Sequence, residues 1–213
     1  MVLVRIDYKE KAIMKKNREM EFIWKPFYDL DKGATSIFTH VMYDHYNANN
    51  VFPGYVDDVF LHKTDEEIYL EVSKIINWAR KERSAYLTNN VLLLFGDDFT
   101  HMQPYNNFLN IERIIDYFNN HTVYSNQVKF VYSTPSKYFN QVKSYPATFP
   151  EYKNFDFFPY ADNPYAYWTG FFTSRPYLKG LVRDAGRYLY SSSRLLFEQT
   201  LKDIQINSFK FSG

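Results

Sequence analysis

The chain has 213 residues, enough for one sizeable domain or most of one, and no cysteine, which excludes disulfide frameworks, thiolate metal sites and cysteine nucleophiles. Its 25 basic and 24 acidic residues leave a formal net charge of +1, so there is no basic excess to neutralise nucleic acid or an anionic membrane. The longest apolar run, Val91 to Phe95, is far too short to span a bilayer, and the Met-Val-Leu-Val-Arg start shows no signal-peptide pattern.

Along the chain, residues 8–18 are rich in Lys, Glu and Met and predict a helix. Glu21-Phe22-Ile23-Trp24 predicts a strand that stops before Pro26. Ile37 to Val41 predicts a second short strand, and the Asn- and Pro-containing stretch 44–57 a loop. Thr64-Asp65-Glu66-Glu67 is a capping box. It opens a helix that carries Ile68, Val72, Ile75, Ile76 and Ala79 at helical spacing.

Val91 to Phe95 is continuously apolar, as a strand buried on both faces of a parallel sheet would be. A second amphipathic helix is predicted with Phe108, Ile111, Ile114, Ile115 and Phe118 on one side, then a strand from Val128 to Tyr132. Thr134-Pro135 and Ser174-Arg175-Pro176 each place a proline at a helix start. The second begins a long helix with Leu178, Leu181, Ala185, Leu189, Leu195 and Leu196, while Asn207 to Gly213 carry no recognisable ending. Strands alternating with helices predict an α/β fold, a mostly parallel sheet layer with flanking helices, followed by the start of a helical bundle.

The sharpest chemical feature is Gly96-Asp97-Asp98-Phe99, directly after the predicted buried strand. Ligands of open α/β sheets bind beyond the carboxyl ends of the strands, where adjacent carboxylates can serve proton transfer and hydroxyl binding. Gly96-Asp97-Asp98 is also ordinary turn chemistry, with Asp capping the next helix. Twenty Tyr, twenty Phe and three Trp suit a sugar-stacking surface, but compositional drift is the better account of them on composition alone. His40, Asp44 and His45 have a spacing that metals use, Asn120-His121-Thr122 is a glycosylation sequon, and Lys9 to Arg18 reads as a solvated helix face.

Longer blocks carry a resemblance. Asn89-Asn90-Val91-Leu92-Leu93-Leu94-Phe95-Gly96-Asp97-Asp98-Phe99, Phe155 to Asp162 (FDFFPYAD) and Tyr167 to Pro176 (YWTGFFTSRP) resemble segments of class II α-mannosidases, glycoside hydrolase family 38. Arg5-Ile6-Asp7-Tyr8, Met20 to Trp24 and Ile37 to His40 are similar to further blocks, in family order across almost the whole chain. Val131 to Pro135 together with FFPYAD leans toward the lysosomal branch.

The resemblance implies a retaining glycosidase that removes terminal α-linked mannose from oligosaccharides and glycoprotein glycans. One carboxylate attacks the anomeric carbon and a second protonates the leaving oxygen. By position Asp98 is the general acid/base and Asp97 a hydroxyl-binding neighbour. Arg5 matches the arginine near the nucleophile, and Tyr46, with Tyr43 as a substitute, the tyrosine lining the mannose site. Trp168 matches an aromatic near the extended substrate site, with core packing an equal alternative.

The family's zinc ligands (a His-x-Asp pair, the nucleophile of an Asp-Pro-Phe-Gly-His motif, and a later His-His-Asp) have no counterpart in this chain. The expectation is therefore an internal fragment: residues 1–175 part of the catalytic domain, 176–213 the first helix of the next. Zinc would belong to the full-length parent and not to this chain alone. Its partners would be a mannose-containing glycan and the rest of the parent catalytic domain, with no nucleic acid and no membrane segment. Its compartment would be the lysosome or another part of the secretory pathway. The alternative is a non-catalytic sugar-binding remnant of the same family.

Overall fold

The computed structural model describes residues 1–46, 64–102, 104–125 and 127–210; most of the loop expected over 44–57, from Asn47 on, lies outside them, as do residues 211–213. The chain divides into two compact units, Met1–Ala166 and Tyr167–Gly213. Among the described residues no helix is long and apolar enough to cross a membrane.

The first unit is built on a four-stranded sheet of order β1-β3-β2-β4, with β1 Val2–Leu3, β2 Glu21–Lys25, β3 Ile37–Val41 and β4 Glu151–Lys153. β1 runs parallel to β3 and β4 parallel to β2, whereas β2 and β3 are antiparallel. The sheet is therefore mixed. The fold is α/β as expected, but the sheet's central pairing is the antiparallel one.

Local chemistry explains the elements that were legible. α1, Tyr8–Asn17, starts where Asp7 accepts from the Lys9 and Glu10 amides and ends at Arg18 in the left-handed region. α2 is a single turn, Tyr28–Asp31. α3, Asp65–Arg83, has the full capping box, with Thr64 N–H donating to Glu67 at 2.8 Å and Glu67 N–H to Thr64 at 3.4 Å. α4 spans Pro104–Asn120, and α5, Pro135–Lys143, begins with Thr134 accepting from the Lys137 amide.

Two apolar clusters fill this unit. One gathers Ile68, Val72, Ile75 and Ile76 of α3 with Ile114 and Phe118 of α4. The other packs Met14, Met20, Phe22, Val41, Tyr86 and Phe157 around the sheet.

Three expectations change. Val91 to Phe95 and Val128 to Tyr132 are not β-strands among the described residues. Leu93, Phe95, Val128 and Phe130 each lean on the α3–α4 cluster from one side only, and Leu94 between them is 36 % exposed. A strand apolar on both faces needs a layer on each, and here only one layer is present. In place of a ladder, the Asn119 side chain serves both backbone groups of Phe130, accepting from its N–H at 3.1 Å and donating to its carbonyl at 2.8 Å.

The third change is the face of α4. Its buried stripe is Asn107, Asn110, Ile114 and Phe118, while Phe108 is 48 % exposed. Asn107 turns inward beside His101, its Nδ2 3.4 Å from the ring Nδ1. That choice of face leaves Phe108 on the rim.

The second unit holds a short helix α6, Gly170–Thr173, and one long helix α7, Pro176–Lys210, entered through Arg175 at φ 50°. At about 1.5 Å per residue α7 is roughly 50 Å long. Leu178, Leu181, Leu189, Leu195 and Leu196 are all exposed on it.

Candidate functional site

The turn Gly96 to Phe99 leads into a single 3-10 turn, Thr100–Met102, and then into α4. Asp97 is half-buried, and its Oδ1 accepts from the Asp98 amide at 2.8 Å. That bond tightens the turn. Phe99 follows at φ 62°, a left-handed conformation uncommon for an aromatic residue. Asp97 thus braces the turn through the next amide rather than capping the following helix, and Asp98 is exposed.

Asp98 has a partner from a distant part of the chain. The Tyr46 hydroxyl donates to Asp98 Oδ1 at 2.9 Å. This bond, followed by the charge of Asp98, raises the Tyr46 pKa; Asp97 adds to the effect and Arg5 opposes it. The structure therefore brings three of the expected residues, Arg5, Asp97 and Asp98, within electrostatic reach of a fourth, Tyr46. Trp168 lies in the second unit, where it is exposed.

Tyr43, the substitute for Tyr46, belongs to the core. It packs in the sheet cluster, edge-on to Trp78, with the Lys15 ammonium 3.7 Å over its ring. Burial and the Asp44 charge raise its pKa. Lys15 also pairs with Asp44 at 3.0 Å.

Around Arg5 lies a group that sequence reasoning did not assemble. The Arg5 guanidinium sits 5.8 Å over the Tyr160 ring. The Tyr160 hydroxyl donates to Asp162 Oδ1 and lies 3.1 Å from His45 Nε2. Lys11 of α1 is alongside, donating to the Val4 carbonyl at 3.2 Å. Burial, then Lys15, lower its pKa to about 8. The FFPYAD block was visible as a family mark, but nothing in its spacing pointed to a histidine 115 residues earlier.

The possible metal spacing of His40, Asp44 and His45 does not converge. His40 is buried on β3 with Nδ1 2.9 Å from Glu21 Oε1, Asp44 is held by Lys15, and His45 faces Tyr160. Among the described residues no three His, Cys, Asp or Glu side chains form a metal-holding group.

The comparisons agree with the blocks that carry the resemblance. Residues 1–163 match the glycosyl hydrolases family 38 N-terminal domain, and the chain belongs to that family. It is similar to a probable α-mannosidase of Arabidopsis thaliana, 34% identical over 91% of this chain and 18% of that protein. A second α-mannosidase of the same plant is 32% identical over 92% of this chain and 19% of the relative. The lysosomal α-mannosidase of Cavia porcellus is 32% identical over 90% of this chain and 20% of its own length. The chain thus spans about a fifth of the length of the curated relatives it matches.

Proposed function

We propose that this chain is part of a retaining α-mannosidase that hydrolyses terminal α-linked mannose from oligosaccharides and N-glycans, with Asp98 as its general acid/base. The observation that carries the proposal is the Tyr46 to Asp98 hydrogen bond, which joins segments 52 residues apart into one polar site beside Asp97 and Arg5. Family membership and the α-mannosidase names of the relatives support the reaction class.

In this reading Tyr46 occupies Oδ1 of Asp98 and fixes the plane of the carboxyl group. The other oxygen is left to protonate the leaving sugar and then to take a proton from water. Asp97, whose Oδ1 braces the turn, offers its second oxygen to a sugar hydroxyl. Arg5 supplies positive charge where the nucleophile works, and Trp168 a face on which a further sugar can stack. The zinc that the family resemblance implies finds no donor set among the described residues. It would be held by other parts of the full-length parent, as would the nucleophile.

Attack and proton donation in retaining enzymes need two carboxyl groups about 5 Å apart. Residues 1–213 alone are therefore expected not to turn over 4-nitrophenyl α-mannoside, and turnover by the purified chain would overturn that part of the reading. The decisive experiment is to sequence the native transcript on both sides of this segment. In-frame His-x-Asp and Asp-Pro-Phe-Gly-His upstream and His-His-Asp downstream support the mannosidase parent. Start and stop codons at Met1 and Gly213 leave the non-catalytic sugar-binding remnant. The lysosomal relatives support a lysosomal or other secretory-pathway home for the parent, and colocalisation of the tagged parent with a lysosomal marker tests it.

A further inference from the structure

His45, Tyr160 and Asp162 form a chain of hydrogen bonds whose direction can be worked out from chemistry. A carboxylate only accepts, so the Tyr160 hydroxyl gives its one proton to Asp162 Oδ1. The same oxygen lies 3.1 Å from His45 Nε2 and can then only accept, so Nε2 carries the hydrogen. The imidazole is thereby held in one tautomer, with the lone pair on Nδ1.

His45 is exposed, and its Nδ1 has no hydrogen-bond partner among the described residues. The ring also follows directly from Asp44 and precedes Tyr46, whose hydroxyl is bound to Asp98. An acceptor of fixed orientation therefore stands one residue from the candidate acid's own partner.

Burial and the neighbouring cations favour the neutral ring. Desolvation, then Lys11 of α1 and Arg5 after β1, lower the His45 pKa, while Asp162 and Asp44 oppose them. A neutral imidazole keeps its lone pair, and an imidazolium would lose it.

We infer that His45 is a substrate-binding residue: the Tyr160–Asp162 pair fixes its tautomer, and Nδ1 accepts a hydrogen bond from a carbohydrate hydroxyl at the Tyr46–Asp98 site. The inference rests on the glycosidase reading of that site and adds to it a specificity element. Arg5, lying over the Tyr160 ring, couples the relay to the same site. Tyr160 and Asp162 are positioning residues, because they act on substrate only through His45.

The test is ring-¹⁵N NMR of the histidines in the 213-residue chain near pH 7.5, with methyl α-D-mannopyranoside as the probe. The wild type is expected to show His45 with the hydrogen on Nε2 and none on Nδ1. Asp162→Ala frees the Tyr160 hydroxyl to donate to Nε2 and is expected to switch the ring to the Nδ1–H form. Tyr160→Phe removes the relay and is expected to leave a mixture of tautomers. An Nδ1–H ring in the wild type, or an unchanged tautomer in both variants, overturns the proposal.

Added mannoside is expected to shift His45 Nδ1 together with the Tyr46 ring signals. His45→Phe should then weaken mannoside binding about 2- to 10-fold, the loss of one neutral hydrogen bond. A shift at Tyr46 without one at His45 overturns the sugar contact while leaving the glycosidase reading intact. The same titration on the full-length parent, which supplies the rest of the site, decides the remaining case: no shift at either residue there overturns both.

Discussion

Glu82, in the last turn of α3, is 5 % exposed and accepts from the Trp78 indole N–H at 2.9 Å. Desolvation raises its pKa to about 7; Trp78 and Lys15 lower it and Asp44 raises it further. The folded state therefore holds this proton more tightly than the unfolded chain. The stability is undiminished below the unfolded value near pH 4.5. It falls as pH rises to about 7, where the carboxylate must be charged in place. Glu82→Gln keeps the acceptor for Trp78 and removes the charge. Its expected gain over the wild type in urea denaturation is near zero at pH 4 and on the order of 2 kcal/mol at pH 8.

A second buried group is held differently. Glu21 and His40 face each other across β2 and β3, are essentially inaccessible, and share Oε1 with the Tyr138 hydroxyl, which donates at 2.8 Å. His40 also stacks on Tyr86, whose hydroxyl donates to the Val41 carbonyl. Tyr138→Phe removes a donor from a buried carboxyl group and should cost about 1–3 kcal/mol in denaturant melts. At the candidate site, Asp98→Asn in the full-length parent is expected to lower kcat about 10²- to 10⁴-fold on unactivated mannosides.

At the scale of elements, helix ends were the most legible feature of the sequence. Thr64 and Thr134 announce their helices because a cap is a short-range contact settled within three residues, and the Asp7 cap of α1 is of the same kind. Thr64→Ala should therefore cost about 1 kcal/mol, read as a loss of thermal stability. The fate of the 91–95 and 128–132 runs was not legible in the same way. Whether an apolar run becomes a strand depends on neighbours that it does not itself specify, and here the Asn119 amide takes the place of a ladder partner. The face of α4 was misjudged for a related reason: counting apolar residues favours Phe108, whereas the inward stripe takes Asn107 and Asn110. Phe118, on that stripe and stacked 4.0 Å from Phe130, is the residue whose truncation to Ala should cost most, about 3–5 kcal/mol.

The candidate site divides along the same line. Asp97 and Asp98 stood out as adjacent carboxylates in a turn, and the resemblance added Arg5 and Tyr46. The Tyr160 relay is a tertiary meeting of segments more than a hundred residues apart, and no local pattern encodes it.

For the molecule as a whole, the second unit presents leucines on a long helix with little within that unit to cover them. Exposed apolar surface of this kind favours association. The isolated chain is expected to sediment with a concentration-dependent mass, and Leu195→Lys with Leu196→Lys should reduce that dependence. A constant monomer mass across the concentration range would count against it.

The sheet's last strand carries a consequence for how the protein is made. β4 docks parallel to β2, and Lys25 meets Glu151 across a separation of 126 residues. A ribosome adding 5–20 residues per second needs roughly 6 to 25 s to produce that span. Throughout that interval one margin of β2, next to the Glu21 that Tyr138 will later bind, has no partner from its own chain. The nascent protein must wait for its β4 end before the sheet can close, which makes this margin a natural place for a chaperone to hold.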